Sequence, residues 1–342
     1  MEKIRFGKTN LQVSKIAFGG IPIQRLTTSE AVKVVQGVIG LGINFLDTAN
    51  AYSDSEEKIG VAIKGMPRES LVIATKSAGS DKKTLLNHLD QSLKQMGIDY
   101  VDIYQLHNVS TTNTYDKVFA EGGAFEGLME AVRAGKVRFP AFSSHNIPIA
   151  LQIMREGKFS VLQLPLNYVA DTAAKEAVPL AKELDMGFIA MKPFGGGMLP
   201  NAGLSIRYLS QFSDIVPDPG IEKLSEMEEI VRIVKSGEKF TAADAEEIEK
   251  IKQQLGDHWC HRCEYCMPCP QNISIVNVMI SESVTKRFNH GSVMEMIGEV
   301  MENAKNCTEC GVCAQKCPYK LNIPKLIKEK SSLWDNYMAK NS

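Results

Sequence analysis

No cysteine occurs before Cys260 in this chain of 342 residues, so no disulfide framework can hold the first three quarters together. A hydrophobic content of 44% is enough to build a packed core instead. The formal net charge is only −1, which argues against a nucleic-acid or anionic-membrane partner. No apolar run approaches the roughly 18 residues of a membrane-spanning helix, and the amino-terminal segment lacks the apolar stretch of a secretion signal. The sequence therefore predicts a globular protein without a membrane span.

All eight cysteines lie in two short runs, CHRCEYCMPCP (260–270) and CTECGVCAQKCP (307–318). The second run has the spacing C-x2-C-x2-C-x3-C-P of bacterial ferredoxins, in which the fourth cysteine binds the cluster of the other run. We therefore predict two 4Fe-4S clusters. The first cluster would be held by Cys260, Cys263, Cys266 and Cys317, and the second by Cys307, Cys310, Cys313 and Cys269. The first run departs from the standard spacing, because only Met267 and Pro268 precede its last cysteine.

Disulfides and structural zinc are the alternatives for these cysteines. Zinc sites usually combine two cysteine pairs from separate knuckles, whereas four cysteines crowd into each run here. The spacing favours iron and sulfur. Because thiols committed to metal are typical of reducing compartments, we expect a cytoplasmic protein.

Short apolar segments rich in β-branched residues alternate with amphipathic helical segments up to about residue 220. The candidate strands lie at 15–20, 43–48, 71–76, 101–107, 139–144, 161–167, 187–193 and 214–220. Strands that are apolar along their whole length indicate a parallel sheet covered by helices, and eight such units predict a (β/α)8 TIM barrel. The competing fold is a doubly wound open sheet, but no G-x-G-x-x-G follows the first strand.

The composition changes along the chain and predicts three parts. Residues 1–236 would form the barrel, with a short hairpin in front of its first strand. Residues 237–257 form a charged helical connector, and residues 258–342 form a small α-helical domain of the ferredoxin type. Two helices, near 275–289 and 292–305, are expected between the cysteine runs, with a break at His290–Gly291.

Polar residues follow or end three consecutive candidate strands. In a barrel, catalytic groups lie where the strands end, and these positions here carry Asp47, Lys76 and His107, with Tyr52 in the loop that follows Asp47. Each residue alone has an ordinary explanation, such as a turn or a solvated strand end. Together they suit carbonyl reduction, because Tyr52 can protonate the developing alkoxide. A free phenol has a pKa near 10, and Lys76, held by Asp47, would lower it, while His107 orients the carbonyl oxygen.

Three segments of the barrel resemble the aldo-keto reductase family: GINFLDTANAYSDSEEKIG (42–60), VIATKS (72–77) and VDIYQLHN (101–108). The resemblance extends over roughly residues 1–235. It implies that Asp47, Tyr52, Lys76 and His107 form the catalytic tetrad of the family, with NAD or NADP as the hydride carrier.

The resemblance also implies positions for the cofactor. FSSHN (142–146) and the sixth strand would bind the nicotinamide carboxamide, and AMKPFGGGML (190–199) would let glycine amides approach the pyrophosphate. PDPGIEKLSEMEEI (217–230) would provide a turn and a helix N-terminus for the adenosine phosphates. Met191 stands where many members place an aromatic ring. The implied cofactor residues are Ser143, Ser144, Asn146, Gln163, Met191, Lys192, Gly195, Gly196, Gly197 and Gly220.

A narrower group of aldo-keto reductases ends in a ferredoxin-type domain, and the chain is similar to that group. A hydride carries two electrons whereas a cluster accepts one, and flavins are the usual converters between the two. A flavin could therefore lie in the barrel mouth, the clusters could serve a ferredoxin-like electron partner at a separate site, or they could only stabilise the C-terminal domain.

The main hypothesis is a cytoplasmic oxidoreductase that interconverts a small carbonyl and its alcohol, with clusters that exchange electrons with a ferredoxin-like partner. The alternative is an electron-transfer protein that uses the barrel as a flavin-binding or docking platform, with an idle tetrad.

Overall fold

The computed structural model describes residues 1–199, 201–256, 258–260, 266–317 and 320–341. The chain divides into two compact units, Met1–Phe240 and Thr241–Ser342. No helix in the described part of the chain is long and apolar enough to span a membrane.

The first unit is the expected parallel barrel. It is preceded by an antiparallel hairpin of β1 (Lys3–Arg5) and β2 (Gln12–Ser14). The barrel strands follow in chain order, each pairing in parallel with the next. They are β3 (Phe18–Gly19), β4 (Phe45–Asp47), β5 (Val72–Ser77), β6 (Val101–Leu106), β7 (Val137–Ser143), β8 (Val161–Pro165), β9 (Gly187–Met191) and β10 (Ile215–Asp218).

Backbone hydrogen bonds join the last strand to the first and close the barrel. The amide nitrogens of Ala17 and Gly19 donate to the carbonyl oxygens of Pro217 and Pro219, each at 2.9 Å. A parallel bridge between Gly19 and Gly220 continues the same pairing. The eight strand positions predicted from the sequence are therefore confirmed.

Helices follow the strands and cover the outside of the barrel. They are α1 (Thr28–Gly40), α2 (Ser55–Ile63), α3 (Lys82–Met96), α4 (Thr112–Phe119), α5 (Ala124–Arg133), α6 (Ile147–Arg155), α7 (Thr172–Glu183), α8 (Ala202–Leu209) and α9 (Leu224–Ser236). Local sequence determines several of their ends. Thr27 and Glu30 form a capping box at the start of α1, and Gly97 ends α3 in the left-handed conformation.

Two apolar layers stabilise this unit. The larger lies between the strands and the helices. The smaller fills the inside of the barrel, where Phe6, Leu11 and Val13 of the hairpin segment pack against inward residues of the strands. Because the hairpin precedes the strands and its side chains join this inner layer, the polar ends of the strands are left to form the opposite mouth.

The second unit is helical. Its elements are α10 (Ala242–Leu255), α11 (Ile275–Arg287), α12 (His290–Val293), a π-helical turn (Met294–Gly298), α13 (Glu299–Ala304), α14 (Val312–Lys316) and α15 (Ile323–Asn341). The helix expected after His290–Gly291 begins at His290 itself, because Asn289 caps it through Oδ1, which accepts from the amide of Ser292 at 2.9 Å. Cys266 and Cys313 lie in the core of this unit with Ile273, Met301 and Trp334.

Candidate functional site

Seven barrel strands place a side chain into the mouth by the same rule. Side chains alternate along a strand, so a residue two positions after an inward apolar residue also points inward. The inner apolar layer contains Phe45, Ala74, Ile103, Ala141, Val161, Ile189 and Val216. The residues two positions later are Asp47, Lys76, Gln105, Ser143, Gln163, Met191 and Asp218. Six of these seven are polar or charged, so the layer above the core is a polar ring.

The centre of the ring is the ion pair of Lys76 and Asp47. Lys76 Nζ lies 2.5 Å from Asp47 Oδ2, and the two side chains are 2% and 4% exposed. Nζ also donates to the carbonyl oxygen of Thr48 at 2.6 Å. Burial alone would lower the pKa of Lys76, but the charges of Asp47, Tyr52 and Asp218 outweigh it and raise that pKa above its ordinary value. Lys76 is therefore a fixed positive charge at neutral pH.

Tyr52 reaches the same mouth from the turn between β4 and α2. Its amide donates to the carbonyl of Ala49 at 2.9 Å, and its carbonyl accepts from the amide of Ser55 at 2.9 Å. Lys76 Nζ lies 5.2 Å from the centre of the Tyr52 ring. The His107 ring is perpendicular to the Tyr52 ring, with centroids 6.0 Å apart. The structure thus brings together the four residues that the sequence placed at strand ends and in the loop after β4.

His107 stays neutral in this environment. Burial, followed by the positive charges of Lys76 and Lys192, lowers the pKa of His107 to about 3. Its Nδ1 is buried and has no hydrogen-bond partner among the described residues. A neutral imidazole can orient a polar ligand by hydrogen bonding, but it cannot supply a proton as an acid at neutral pH.

Gln105 and Asp218 also belong to the site, although neither was predicted from the sequence. Gln105 Nε2 donates to Asp47 Oδ1 at 3.1 Å. Gln163 Nε2 donates to Asp218 Oδ2 at 3.1 Å and to Asp47 Oδ2 at 3.3 Å. The signal that would have identified both residues is the two-residue period itself, since Gln105 precedes His107 by two positions and Asp218 ends the last strand.

Three side chains that the family resemblance assigned to the nicotinamide accept hydrogen bonds from backbone amides of the protein. Ser143 Oγ accepts from the amide of Asn108 at 2.9 Å. Ser144 Oγ accepts from the amide of Asn146 at 3.0 Å. The side chain of Asn146 caps α6, because Oδ1 accepts from the amide of Ile149 at 3.1 Å. Their cofactor roles stay predictions, and the side-chain oxygen of Asn146 is already engaged.

The glycine-rich turn after β9 has the backbone conformation that only glycine adopts readily. Gly195, Gly196 and Gly197 have φ values of 60°, 74° and 89°, and Lys192 is also left-handed at 57°. The amides of Gly195 and Gly197 donate within the turn to the carbonyls of Lys192 and Phe194, each at 2.9 Å. Two of the three amides expected to face a pyrophosphate are therefore bonded inside the turn. Met191 ends the strand before it, partly buried.

The start of α9 carries its own carboxylate. Glu226 Oε2 accepts from the amide of Glu222 at 2.8 Å and from that of Lys223 at 2.9 Å. Glu222 in turn forms an ion pair with Arg25. Gly220, predicted at this turn, sits against Pro22, whose Cγ would be 3.0 Å from an added Cβ. Two amides of the turn that the resemblance assigned to the adenosine phosphates, those of Glu222 and Lys223, are thus bonded to a side chain of the protein itself.

The cysteine runs meet in the second unit. None of the seven described cysteines is in a disulfide. Burial raises the pKa of the Cys313 thiol. Cys269 and Cys307 pack against the core cluster that contains Cys313. They belong to the four that the spacing assigns to one cluster, and Cys269 comes from the other run. Cys310, the fourth, is exposed, and Cys263 lies outside the described residues.

The interleaved ligand assignment requires Cys269 of the first run to lie near the cysteines of the second run. Among the described residues, including those of both cysteine runs, no three side chains of Cys, His, Asp or Glu are placed to hold a single metal ion. Thiolates are the ligands that iron–sulfur clusters use, and the cysteine set fits such a group.

Comparison with known proteins matches both units to families. The family model described as "Aldo/keto reductase family" matches residues 15–214, and the model described as "4Fe-4S dicluster domain" matches residues 259–322. The second unit therefore contains a 4Fe-4S dicluster domain of the ferredoxin type.

Curated relatives match the barrel at low identity. "Probable aldo-keto reductase 1" of Glycine max is 24% identical over 60% of this chain and 62% of that protein. "L-galactose dehydrogenase" of Arabidopsis thaliana is 27% identical over 58% of this chain and 66% of that protein, so the chain spans less than two thirds of these two relatives. "NADH-specific methylglyoxal reductase" of Escherichia coli is 26% identical over 58% of this chain and 69% of that protein.

Solved structures show the same fold. The holo form of an aldo-keto reductase from Bacillus halodurans superposes with a TM-score of 0.62 at 22% identity, covering 73% of this chain and 96% of that chain. An aldo-keto reductase from Klebsiella pneumoniae in complex with NADPH has a TM-score of 0.63 at 17% identity, covering 73% and 94%.

Proposed function

The chain belongs to the aldo/keto reductase family, and from that premise we propose that its barrel interconverts a small carbonyl compound and its alcohol with a nicotinamide dinucleotide. The observation that carries the proposal is the meeting of Tyr52, Lys76 and His107 at one mouth above the buried carboxylate of Asp47. A bound nicotinamide would supply or accept the hydride. The residues of the chain provide the proton transfer and the polar environment for it.

Tyr52 is the proposed acid. It protonates the oxygen of the carbonyl as charge develops there, and the fixed charge of Lys76 stabilises the phenolate left behind. Asp47 holds Lys76 in place through the 2.5 Å contact. His107, with its pKa lowered to about 3, is neutral and can only orient the carbonyl oxygen by a hydrogen bond. The proton that reaches the substrate therefore comes from Tyr52 and not from the imidazole.

The test is removal of one hydroxyl group. With NADH and methylglyoxal or a panel of small aldehydes, Tyr52→Phe should lower kcat about 10²–10⁴-fold, the usual effect of removing a positioned general acid. Dinucleotide binding, measured by fluorescence, should change little. Tyr104→Phe is the matched control, because Tyr104 is buried in the apolar layer between strands and helices, where its hydroxyl donates to the carbonyl of Leu85 at 3.4 Å. Equal turnover in wild type and Tyr52→Phe would show that the tetrad is idle.

For the choice of dinucleotide we propose NADH over NADPH. The E. coli relative is named for NADH, whereas the K. pneumoniae structure contains NADPH, so relatives support either. In this chain the carboxylate of Glu226 already accepts hydrogen bonds from the amides of Glu222 and Lys223, directly before α9. An additional phosphate there would have to displace that carboxylate and approach Glu222, which is unfavourable for two like charges.

The dicluster domain is proposed to hold two 4Fe-4S clusters that exchange single electrons with a ferredoxin-like protein. Cys260, Cys263, Cys266 and Cys317 would hold one cluster, and Cys307, Cys310, Cys313 and Cys269 the other. The support is that Cys269 of the first run packs against the same core cluster that contains Cys313 of the second run. Anaerobically reconstituted protein should contain about eight iron and eight sulfide per chain, because each cube contributes four of each. A reproducible content of four, or stoichiometric zinc, would contradict the assignment.

A further inference from the structure

We propose that Asp218 is a positioning residue which, together with Asp47, locks the side-chain amide of Gln163 so that its oxygen accepts a hydrogen bond from the carboxamide of the dinucleotide. The inference rests on the proposed nicotinamide function and adds a residue to it. Asp218 itself touches neither the reacting atoms nor the ligand in this role.

The hydrogen bonds of Gln163 determine which way its amide faces. Nε2 lies 3.1 Å from Asp218 Oδ2 and 3.3 Å from Asp47 Oδ2. An ionised carboxylate can only accept hydrogen bonds, so the nitrogen end of the amide must face the two aspartates. Both N–H groups of Gln163 are then used, and rotation of the amide by half a turn would set its oxygen against two negative charges.

The oxygen end of the same amide is left for a ligand. Gln163 is 2% exposed, and within the described residues Oε1 has no hydrogen-bond partner. A buried acceptor without a donor costs free energy, and a ligand that supplies an N–H at this point recovers it. A carboxamide is such a donor, and the mouth beside Tyr52 and Lys76 is where the proposed reaction needs the nicotinamide ring.

Asp218 contributes to this lock more specifically than Asp47 does. Asp47 also accepts from Lys76 Nζ at 2.5 Å and from Gln105 Nε2 at 3.1 Å, so Gln163 is one of three donors to it. The bond from Gln163 to Asp218 is the shorter of its two. The fold makes room for this carboxylate, because a Cβ on Gly19 of the neighbouring strand would lie 3.1 Å from Asp218 Oδ1.

The test compares two dinucleotides that differ only in the carboxamide. In reduced acetylpyridine adenine dinucleotide a methyl ketone replaces the carboxamide, so the N–H donors are missing. Wild-type protein should bind NADH about tenfold more tightly than this analogue, the usual effect of one hydrogen bond to a buried acceptor. Asp218→Ala should reduce the ratio to about twofold or less, because the amide of Gln163 is free to turn. Asp218→Asn, whose Oδ1 can still accept from Nε2, should restore most of the ratio.

A control variant and a second replacement test the positioning role of Asp218 separately from the proposed nicotinamide function. Asp185→Ala removes an aspartate that pairs with Arg5 at the surface, and it should leave the ratio unchanged. Asp218→Ser replaces the alanine variant if that variant does not fold, as judged by circular dichroism. A ratio unchanged in Asp218→Ala, or lost equally in the alanine and asparagine variants, overturns the positioning role. Failure of wild-type protein to bind either dinucleotide would instead overturn the proposed nicotinamide function.

Discussion

The buried pair of Asp47 and Lys76 should be coupled by at least about 2 kcal/mol, and a double-mutant cycle can measure this coupling free energy. The charges are 2.5 Å apart and almost fully buried. With an effective dielectric constant of about 20 they attract by roughly 7 kcal/mol, before the cost of removing them from water is counted. Removal of one partner from a buried pair typically costs about 3–5 kcal/mol, because the other charge is left behind.

The two single variants should differ in cost. Asp47→Asn removes the carboxylate that pairs with Lys76 and leaves its ammonium with the carbonyl of Thr48 and the charge of Asp218, so we expect a loss of about 3–5 kcal/mol. Lys76→Met leaves a carboxylate that keeps the amide donors of Gln105 and Gln163 at 3.1 and 3.3 Å, so its loss should be nearer 2 kcal/mol. The double variant should cost less than the sum of the two, with a coupling free energy of at least about 2 kcal/mol.

Native-state hydrogen exchange is the suitable assay. Both tryptophans, Trp259 and Trp334, lie in the second unit, so tryptophan fluorescence does not report on the barrel. Exchange of peptides from β5 and β6 gives the opening free energy of the barrel itself. The control cycle uses Asp90 and Lys136, which are 2.6 Å apart but 59% and 44% exposed and should couple by less than about 1 kcal/mol. Additive losses in the buried pair would refute the reasoning.

Further predictions concern the imidazole, the dinucleotide and the clusters. The pKa of His107 is lowered to about 3 from an unfolded value near 6.5, so its contribution to stability is complete above about pH 6.5. That contribution is lost as the pH falls towards 3, by up to ~1.4 kcal/mol per pH unit. When the free energy of unfolding in urea is plotted against pH over this range, His107→Gln should show a smaller decrease than the wild type. Glu226→Gln should narrow the preference for NADH over NADPH measured as a ratio of kcat/KM, and an unchanged ratio would contradict the role given to that carboxylate. Cys317→Ser should alter the electron paramagnetic resonance signal of the cluster held by the first cysteine run; a change confined to the other cluster would disprove the interleaved assignment.

The sequence by itself predicted the fold of the barrel and the presence of a dicluster domain. Each of the eight predicted strands is present, since short segments rich in β-branched residues between amphipathic helices can be buried on both faces only in a covered parallel sheet. The cysteine spacing indicated a dicluster domain because three ligands of each cluster lie close together in the chain, and the family match agrees. Asp47, Lys76 and His107 were also accessible to sequence reasoning, as polar residues at the ends of apolar segments.

Only the tertiary structure decided which hydrogen-bond partners and which protonation states those polar residues have. The partners of Asp47 come from three other strands, through Lys76, Gln105 and Gln163, and closure of the barrel brings them within hydrogen-bond distance. The positive state of Lys76 and the neutral state of His107 have opposite causes: neighbouring carboxylates outweigh burial in the first, and burial dominates in the second. Burial and distance between strands far apart in sequence are properties of the closed barrel, so local sequence patterns could place these groups at the mouth but could not assign their protonation states.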